Sequence, residues 1–339
     1  MDLGISQLFP VTENSQIGEA RRRAEKLARQ IGFNEVETGN IAIAITELGT
    51  NLIKHTANGG ALIIQALRDG ETYAVEVIAT NAGGGSIATD AWMQDGYSTT
   101  NTLGTGLGAV KRLSDSFDLF SGSDLGTTVS ARFKKKTKVK PRFDVAAVCR
   151  PKPGEEACGD NWSSKQQGNR SMILLADGLG HGPDAALASA AAVDAFAAVN
   201  VDTAVDEVVR HIHVSLKKTR GAAVAVAAID THEQTLSYCG LGNISGALIS
   251  SSERKHLLSD NGTAGFEARK IRAWRFSCPK HGLLVMYSDG ISSRCLQSKY
   301  EPLWKHCAAT IAGTLYRDHS KSIDDATVAA LREGTDYCG

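Results

Sequence analysis

The chain has 339 residues, more than twice the ~150 of a typical domain, so two separately cored domains are expected and a single very small or fibrous fold is excluded. Hydrophobic residues make up 42% and charged residues 22%, with 7 Pro against 34 Gly, which excludes disorder of the chain as a whole. Lys plus Arg equal Asp plus Glu at 37 each, so no net field draws the chain to nucleic acid or an anionic membrane, and any partner is recognised locally.

Reading from the start, Ile17, Ala20, Ala24, Leu27, Ala28 and Ile31 recur at helical spacing with Ser15 as a candidate cap, and a second helix is predicted over 35–55. Residues 61–68 and 72–79 read as paired strands turned at Asp69 and Gly70. After a glycine-rich stretch come a helix over 106–115 and short strands over 117–120 and 127–133. From Arg132 to Arg142 seven of eleven residues are basic and Pro141 lies among them, which suits an exposed connector. The expected division is therefore 1–133, a basic linker over 134–142, and 143–339. The second part opens with strands over 145–149 and 171–176, continues with helices over 183–199 and 203–218, and returns to strands over 222–229, 235–240, 247–250 and 283–287. Strands and helices come in blocks, which predicts an α+β protein with helices packed outside antiparallel sheets.

Two apolar stretches, 40–53 and 185–201, are interrupted by Glu47 and Asp194 and are shorter than the ~20 residues of a membrane span. The first twenty residues lack a basic start followed by an apolar core, so the expected location is the cytoplasm. Seven cysteines, with no C-x-x-C, disfavour zinc clusters and disulfide scaffolds and are expected to be reduced and mostly buried.

On the second predicted helix, Ile41, Ile45, Leu48 and Leu52 form a core stripe, while Glu47, Asn51, Lys54 and His55 form another roughly 120° round from it. A carboxylate, an amide and cations on successive turns provide a metal ligand, a base and positive charge for a Mg-bound triphosphate, although an ordinary solvated face has the same spacing. Gly83, Gly84 and Gly85 follow a strand, and Gly104, Gly106 and Gly108 precede a helix, where backbone N–H groups can approach phosphate.

Together ELGTNLIKH (47–55), NAGGG (81–85), DGYST (95–99), LGTGLGAVKRL (103–113) and GTT (126–128) resemble the Bergerat-type (GHKL/HATPase) ATPases, specifically the RsbT-like serine kinases. The resemblance implies an α/β sandwich with helices on one mixed sheet. It also implies ATP with Mg bound by Glu47, Asn51, Lys54, Asn81, Gly83, Gly85, Gly104, Gly106, Gly108 and Thr127, with Asn51 on the Mg and Glu47 orienting or deprotonating the attacking hydroxyl. The family has Asp where this chain has Asn81; losing charge assistance at the adenine amino group costs on the order of 1 kcal/mol, so ATP binding is expected to be weakened and not abolished.

In the second part, Asp160, Asp177, Asp289, Asp324 and Asp325 stand at strand ends or in tight turns. One Asp-Gly after a strand is usually only a turn, but Asp177-Gly178 and Asp289-Gly290 each end an apolar strand and can converge. Hard divalent cations take such oxygen ligands, and a pair of them can activate water for in-line attack on phosphorus. No Gly-x-Ser-x-Gly elbow points to covalent catalysis, and His181 reads as a loop residue.

CGDNW (158–162), ADGLGHGPDAA (176–186), RGAAVAV (220–226), YCGLGN (238–243), YSDG (287–290) and DDAT (324–327) resemble the metal-dependent PPM-type serine/threonine phosphatases, in particular the SpoIIE group and its compact RsbX-like members. That likeness implies an α-β-β-α sandwich holding two Mn2+ or Mg2+ ions, with Asp177 bridging and catalytic, the Gly178 carbonyl completing one site, Asp160 on one ion, and Asp289 and Asp324 on the other. Asp325 is less certain because many relatives have Asn there. The expected substrate is a phosphorylated STAS-type regulator of a bacterial partner-switching or stressosome-like pathway. Beside it stands the alternative that the first domain is a non-catalytic partner-binding or ATP-sensing module, and a third in which both halves are inert.

Overall fold

The computed structural model describes residues 3–56, 58–69, 72–83, 106–122, 124–135, 141–251 and 253–334. They form two units, one of residues 3–135 with 305–318 and the other of residues 141–304 with 319–334.

In the first unit the chain runs β1 (Gln7–Val11), α1 (Asn14–Gln30), α2 (Glu35–His55), β2 (Gly60–Asp69), β3 (Thr72–Asn81), α3 (Gly106–Leu113), β4 (Ser116–Gly122) and β5 (Gly126–Lys134). Ser15 does not cap α1: Glu13 is the N-cap and its amide donates to Gln16 Oε1 at 3.0 Å. The α2 start is closed by a reciprocal pair, Asn34 with Glu37, each amide donating to the other's side chain at 2.9 Å. The strands order as β1-β2-β3-β5-β4, and every described pairing is antiparallel where the resemblance had implied a mixed sheet. Period-two alternation sends Leu62, Ile64, Val75, Val77, Ala79, Val129 and Ala131 into a core with Ile41, Ile45 and Leu48 of α2.

The opposite face of this sheet is buried too, and beside Ile63 and Ile78 it carries the polar side chains Gln65, Glu76, Thr128, Ser130 and Arg132. Arg132 holds Glu76 Oε1 through Nε at 2.8 Å and Nη2 at 2.6 Å, Gln65 Nε2 donates to Glu76 Oε2 at 2.8 Å, and Ser6 donates to Gln65 at 2.7 Å.

The second unit comprises β6 (Phe143–Arg150), β7 (Asp160–Gln167), β8 (Arg170–Gly178), α4 (Pro183–Ala198), α5 (Val205–Ser215), β9 (Ala222–Asp230), β10 (Thr235–Leu241), β11 (Ser245–Ile249), β12 (Arg254–Leu257), β13 (Trp274–Ser277), β14 (Leu283–Tyr287) and, after a helix α6 (Ala308–His319), β15 (Ala326–Glu333). Two antiparallel five-stranded sheets result, β13-β10-β9-β8-β7 and β12-β11-β14-β15-β6. Met172, Leu174, Ala176, Val224 and Val226 face α4 and α5, which cover the first of these sheets. The strands β1, β7, β12, β13 and β15 and the helix α6 had no counterpart in the sequence reading.

Up to Asp318, α6 groups with the first unit, although the sequence reading had assigned it to the second. It lies on the polar sheet face: Thr310 meets Ser130 at 2.8 Å and Thr314 donates to Thr128 at 2.9 Å. Gly313 makes this approach possible, since a Cβ there would come 2.6 Å from Ile78. Five cysteines (149, 158, 239, 278 and 295) are buried free thiols as expected, whereas Cys307 is disulfide-bonded. No helix among the described residues is long and apolar enough to cross a membrane.

Removing one partner of a buried ion pair leaves the other charge without compensation, at a cost of about 3–5 kcal/mol. Arg132→Met is therefore expected to lower unfolding free energy by that amount, and adding Glu76→Gln to recover much of it, measured by a denaturant double-mutant cycle.

Candidate functional site

Asp160 and Asp177 are cross-strand partners at the joined ends of β7 and β8. Because Met172, Leu174 and Ala176 point to the helices, Asp177 and its neighbour Asp160 point to the other face, toward the second sheet. From that sheet β14 runs into Ser288 and Asp289, and β15 is preceded by Asp324 and Asp325. The two sheets are tied here by Ser288, whose hydroxyl donates to Asp160 Oδ2 at 2.7 Å and accepts from the Thr327 amide at 3.0 Å. Close backbone approach brings the loops together, since a Cβ on Gly178 would collide with the Ala185 carbonyl and one on Gly290 with the Asp325 carbonyl.

Three further carboxylates are seated on protein donors. Asp325 accepts from the Lys152 amide at 2.9 Å and the Gly159 amide at 3.0 Å; Asp289 Oδ2 accepts from Asn243 Nδ2 at 2.8 Å; Asp324 Oδ1 accepts from the Asp325 amide at 2.9 Å. Lys321 reaches the Asp289 carbonyl through Nζ at 2.5 Å, and its amide donates to the Gly290 carbonyl at 2.8 Å. His181 pairs with Glu155 at 2.5 Å, as a loop residue.

Burial and mutual repulsion disfavour the charged forms. Burial pushes Asp177 up to about 9, with the charges of Asp160, Asp289, Asp324 and Asp325 acting in the same direction. Burial likewise raises Asp160 to about 7; Ser288 and Thr327 oppose the rise, and Asp325 and Asp289 add to it. Asp325 is raised by burial against its two amide donors. All five expected acids thus share one electrostatic neighbourhood.

Asp160 Oδ1 is fully buried without a hydrogen-bond partner, and the surrounding donors are hard oxygens, a chemistry that fits Mg2+ or Mn2+. As the side chains stand, no group of three or more His, Cys, Asp or Glu among the described residues is arranged around a single ion position. Asp160, Asp289, Asp324 and Asp325 rest instead on Ser288, Asn243 and backbone amides.

In the first unit, Asn51, His55, Ala79, Asn81, Leu107 and Thr127 line one cavity between α2, α3 and the ends of β3 and β5. Glu47, half-buried, sits at the start of α3: a Cβ on Gly106 would come 2.9 Å from its Oε2 and 3.9 Å from Asn51 Oδ1. Gly108 is in the first turn of that helix and Gly83 is exposed just past β3. Lys54 is exposed and does not line the cavity. Gly85 and Gly104 lie outside the described residues.

Ser288 and Asn243 were missed as site residues, although YSDG and YCGLGN already contained them. Arg317 was missed for another reason: it donates to the carbonyls of Asn81 at 2.9 Å and Thr127 at 3.2 Å, from 236 and 190 residues away in sequence and outside every motif.

The family described as "Histidine kinase-like ATPase domain" matches residues 9–133, and "Stage II sporulation protein E (SpoIIE)" matches residues 167–334. Serine/threonine-protein kinase RsbT of Bacillus subtilis (strain 168) is 36% identical over 112 residues, 33% of this chain and 84% of that protein. Phosphoserine phosphatase RsbX of the same organism is 26% identical over 145 residues, 42% of this chain and 71% of that protein. Among solved structures, one described as "The bacterial stressosome: a modular system that has been adapted to control secondary messenger signaling" has a TM-score of 0.53 at 24% identity, covering 56% of this chain and 99% of its own. RsbX in complex with magnesium has a TM-score of 0.50 at 21% identity, covering 59% and 99%. At these identities the two structures speak to the fold.

Asp160 and Asp177 hold protons in the native state up to about 7 and about 9, whereas an unfolded carboxyl releases its proton near 3.8. Between these limits the native state binds more protons, so stability of the metal-free protein falls as pH rises from about 4 to about 9. Thermal melts in excess chelator are expected to trace that fall. Mn2+ or Mg2+ is expected to offset it, and Asp177→Ala to flatten its upper part.

Proposed function

We propose, for a chain that belongs to the histidine kinase-like ATPase family through its first part and to the SpoIIE family through its second, that the second part dephosphorylates Ser or Thr on a STAS-type regulator protein in a bacterial partner-switching pathway. The enzyme class, a PPM-type serine/threonine phosphatase, follows from membership. The observation that supports the site assignment is the convergence of four other carboxylates on Asp177 beside a buried Asp160 oxygen that has no partner.

In this reading Asp160, Asp177, the Gly178 carbonyl, Asp289 and Asp324 hold two Mn2+ or Mg2+ ions. When bound, such ions supply Lewis-acid activation of water and neutralise phosphoryl oxygens. The protein's own part is positional. Ser288 fixes one Asp160 oxygen and leaves the other available; Asn243 orients Asp289; Lys321 holds the carbonyls of Asp289 and Gly290; glycine at 178 and 290 lets the two loops meet.

The RsbT likeness and the magnesium bound in RsbX support a nucleotide with Mg in the first unit and divalent ions in the second. A phosphorylated STAS protein as substrate rests on both likenesses together. A second reading makes the first unit an ATP-sensing or partner-binding module that performs no phosphoryl transfer. Asn81 in place of the family's Asp and the outward position of Lys54 favour it, while Glu47 beside Gly106 and Asn51 favours retained chemistry.

Release of phosphate from a phospho-STAS protein is expected to require Mn2+ or Mg2+ and to fall at least ~100-fold in Asp177→Ala, because the ions supply most of the transition-state stabilisation. An unchanged rate in that variant rejects the site. With labelled ATP and the unphosphorylated partner, transfer that disappears in Glu47→Ala identifies a kinase, and partner binding without transfer identifies a module. Asn81→Asp is expected to tighten ATP binding about fivefold, the equivalent of ~1 kcal/mol of charge assistance, in a titration of the full chain.

A further inference from the structure

The nucleotide cavity of the first unit ends at the last rung of the β3-β5 ladder, where Asn81 pairs with Thr127. Beyond that rung β3 has left the sheet, so Asn81 has no further ladder partner on β5, while Thr127 is also paired with Ser121 of β4, the two hydroxyls 3.1 Å apart. The side chains of Asn81 and Thr127 face the cavity, and their neighbours Thr80 and Thr128 face the opposite side of the sheet.

On that opposite side lies Arg317, in the last turn of α6. Its side chain is only 9% exposed. Nη1 donates to the Asn81 carbonyl at 2.9 Å, Thr80 Oγ1 at 3.0 Å, the Thr127 carbonyl at 3.2 Å and Thr128 Oγ1 at 3.3 Å. Nη2 donates to the Leu125 carbonyl and to Asp318 Oδ2 at 3.0 Å, and Nε to Asp318 Oδ1 at 2.7 Å. One planar guanidinium therefore joins both strands at the rung and the turn before β5, while Asp318 balances its charge. A lysine has a single donor centre and cannot take the places of both Nη1 at the rung and Nη2 at the Leu125 carbonyl.

We propose that Arg317 is a positioning residue of the nucleotide site. Supplied from outside the segment that matches the ATPase family, it sets the backbone from which the Asn81 amide and the Thr127 hydroxyl address an adenine base. Because a neutral amide lacks the charge that would draw the base in, its placement carries more of the selectivity. The proposal rests on the reading that the first unit binds ATP.

The test titrates full-length protein with a fluorescent ATP analogue and its GTP counterpart in the presence of Mg2+. Wild type is expected to prefer the adenine nucleotide. Arg317→Ala and Arg317→Lys are expected to weaken adenine binding at least ~10-fold, since poorly placed groups lose most of their effect. The adenine-over-guanine preference falls with it, and millimolar guanidinium partly restores binding to Arg317→Ala alone. Thr314→Val removes an α6 contact to Thr128 without touching the two carbonyls; it is expected to lower the melting temperature while leaving affinity and base preference within twofold. Wild-type binding that Arg317→Ala leaves unchanged overturns the proposal, as does Thr314→Val losing as much affinity and preference as Arg317→Ala. Absence of nucleotide binding in the wild type overturns the ATP reading itself and this proposal with it.

Discussion

Carboxylates crowded at the joined ends of two sheets are what the rest of the second unit has to accommodate. Four acidic side chains from three other chain segments bear on Asp177, and burial makes their charge costly. The fold answers with neutral donors: a serine hydroxyl for Asp160, an asparagine amide for Asp289 and two backbone amides for Asp325. These donors hold the acids apart while leaving Asp160 Oδ1 without a partner, an arrangement that divalent ions can complete.

That accommodation is built from backbone geometry as much as from side chains. The antiparallel register sets Asp160 opposite Asp177, the strand period turns both toward the second sheet, and Ser288 closes the gap across 128 residues of sequence. The glycines that follow Asp177 and Asp289 are part of the same device. A side chain at either would strike the carbonyl of Ala185 or of Asp325 and separate the loops that carry the acids.

In the first unit the polar sheet face is the corresponding constraint. Glu76, Gln65, Thr128 and Ser130 cannot be buried without partners, and Arg132, Ser6 and the threonines of α6 supply them. A sheet that would otherwise need only one helical layer is thereby covered on both sides, and the helix that covers it continues directly into the segment bearing Lys321, Asp324 and Asp325.

The helices of the first unit, the strands over 222–229 and 283–287, the acid-bearing motifs and the two family resemblances could all be read from the sequence, because periodicity and short motifs are local properties. Glu47, Asn51, Asn81 and Thr127 were chosen on that basis, and the fold gathers them around α2 and the ends of β3 and β5. Strand β7 escaped notice because DNWSSKQQ has no apolar alternation to mark it. Ser288 and Asn243 were present in recognised motifs, yet their hydrogen bonds to Asp160 and Asp289 depend on strands that meet only in the folded unit. Helix α6, buried along most of its length, and Arg317 within it gave no amphipathic or motif signal at all. The sequence by itself determined which chemical groups are available and the local shape of the segments carrying them. Which of those groups lie within hydrogen-bond reach was decided by the tertiary structure alone, since a 3 Å contact between residues about 190 positions apart depends on how whole sheets and helices pack.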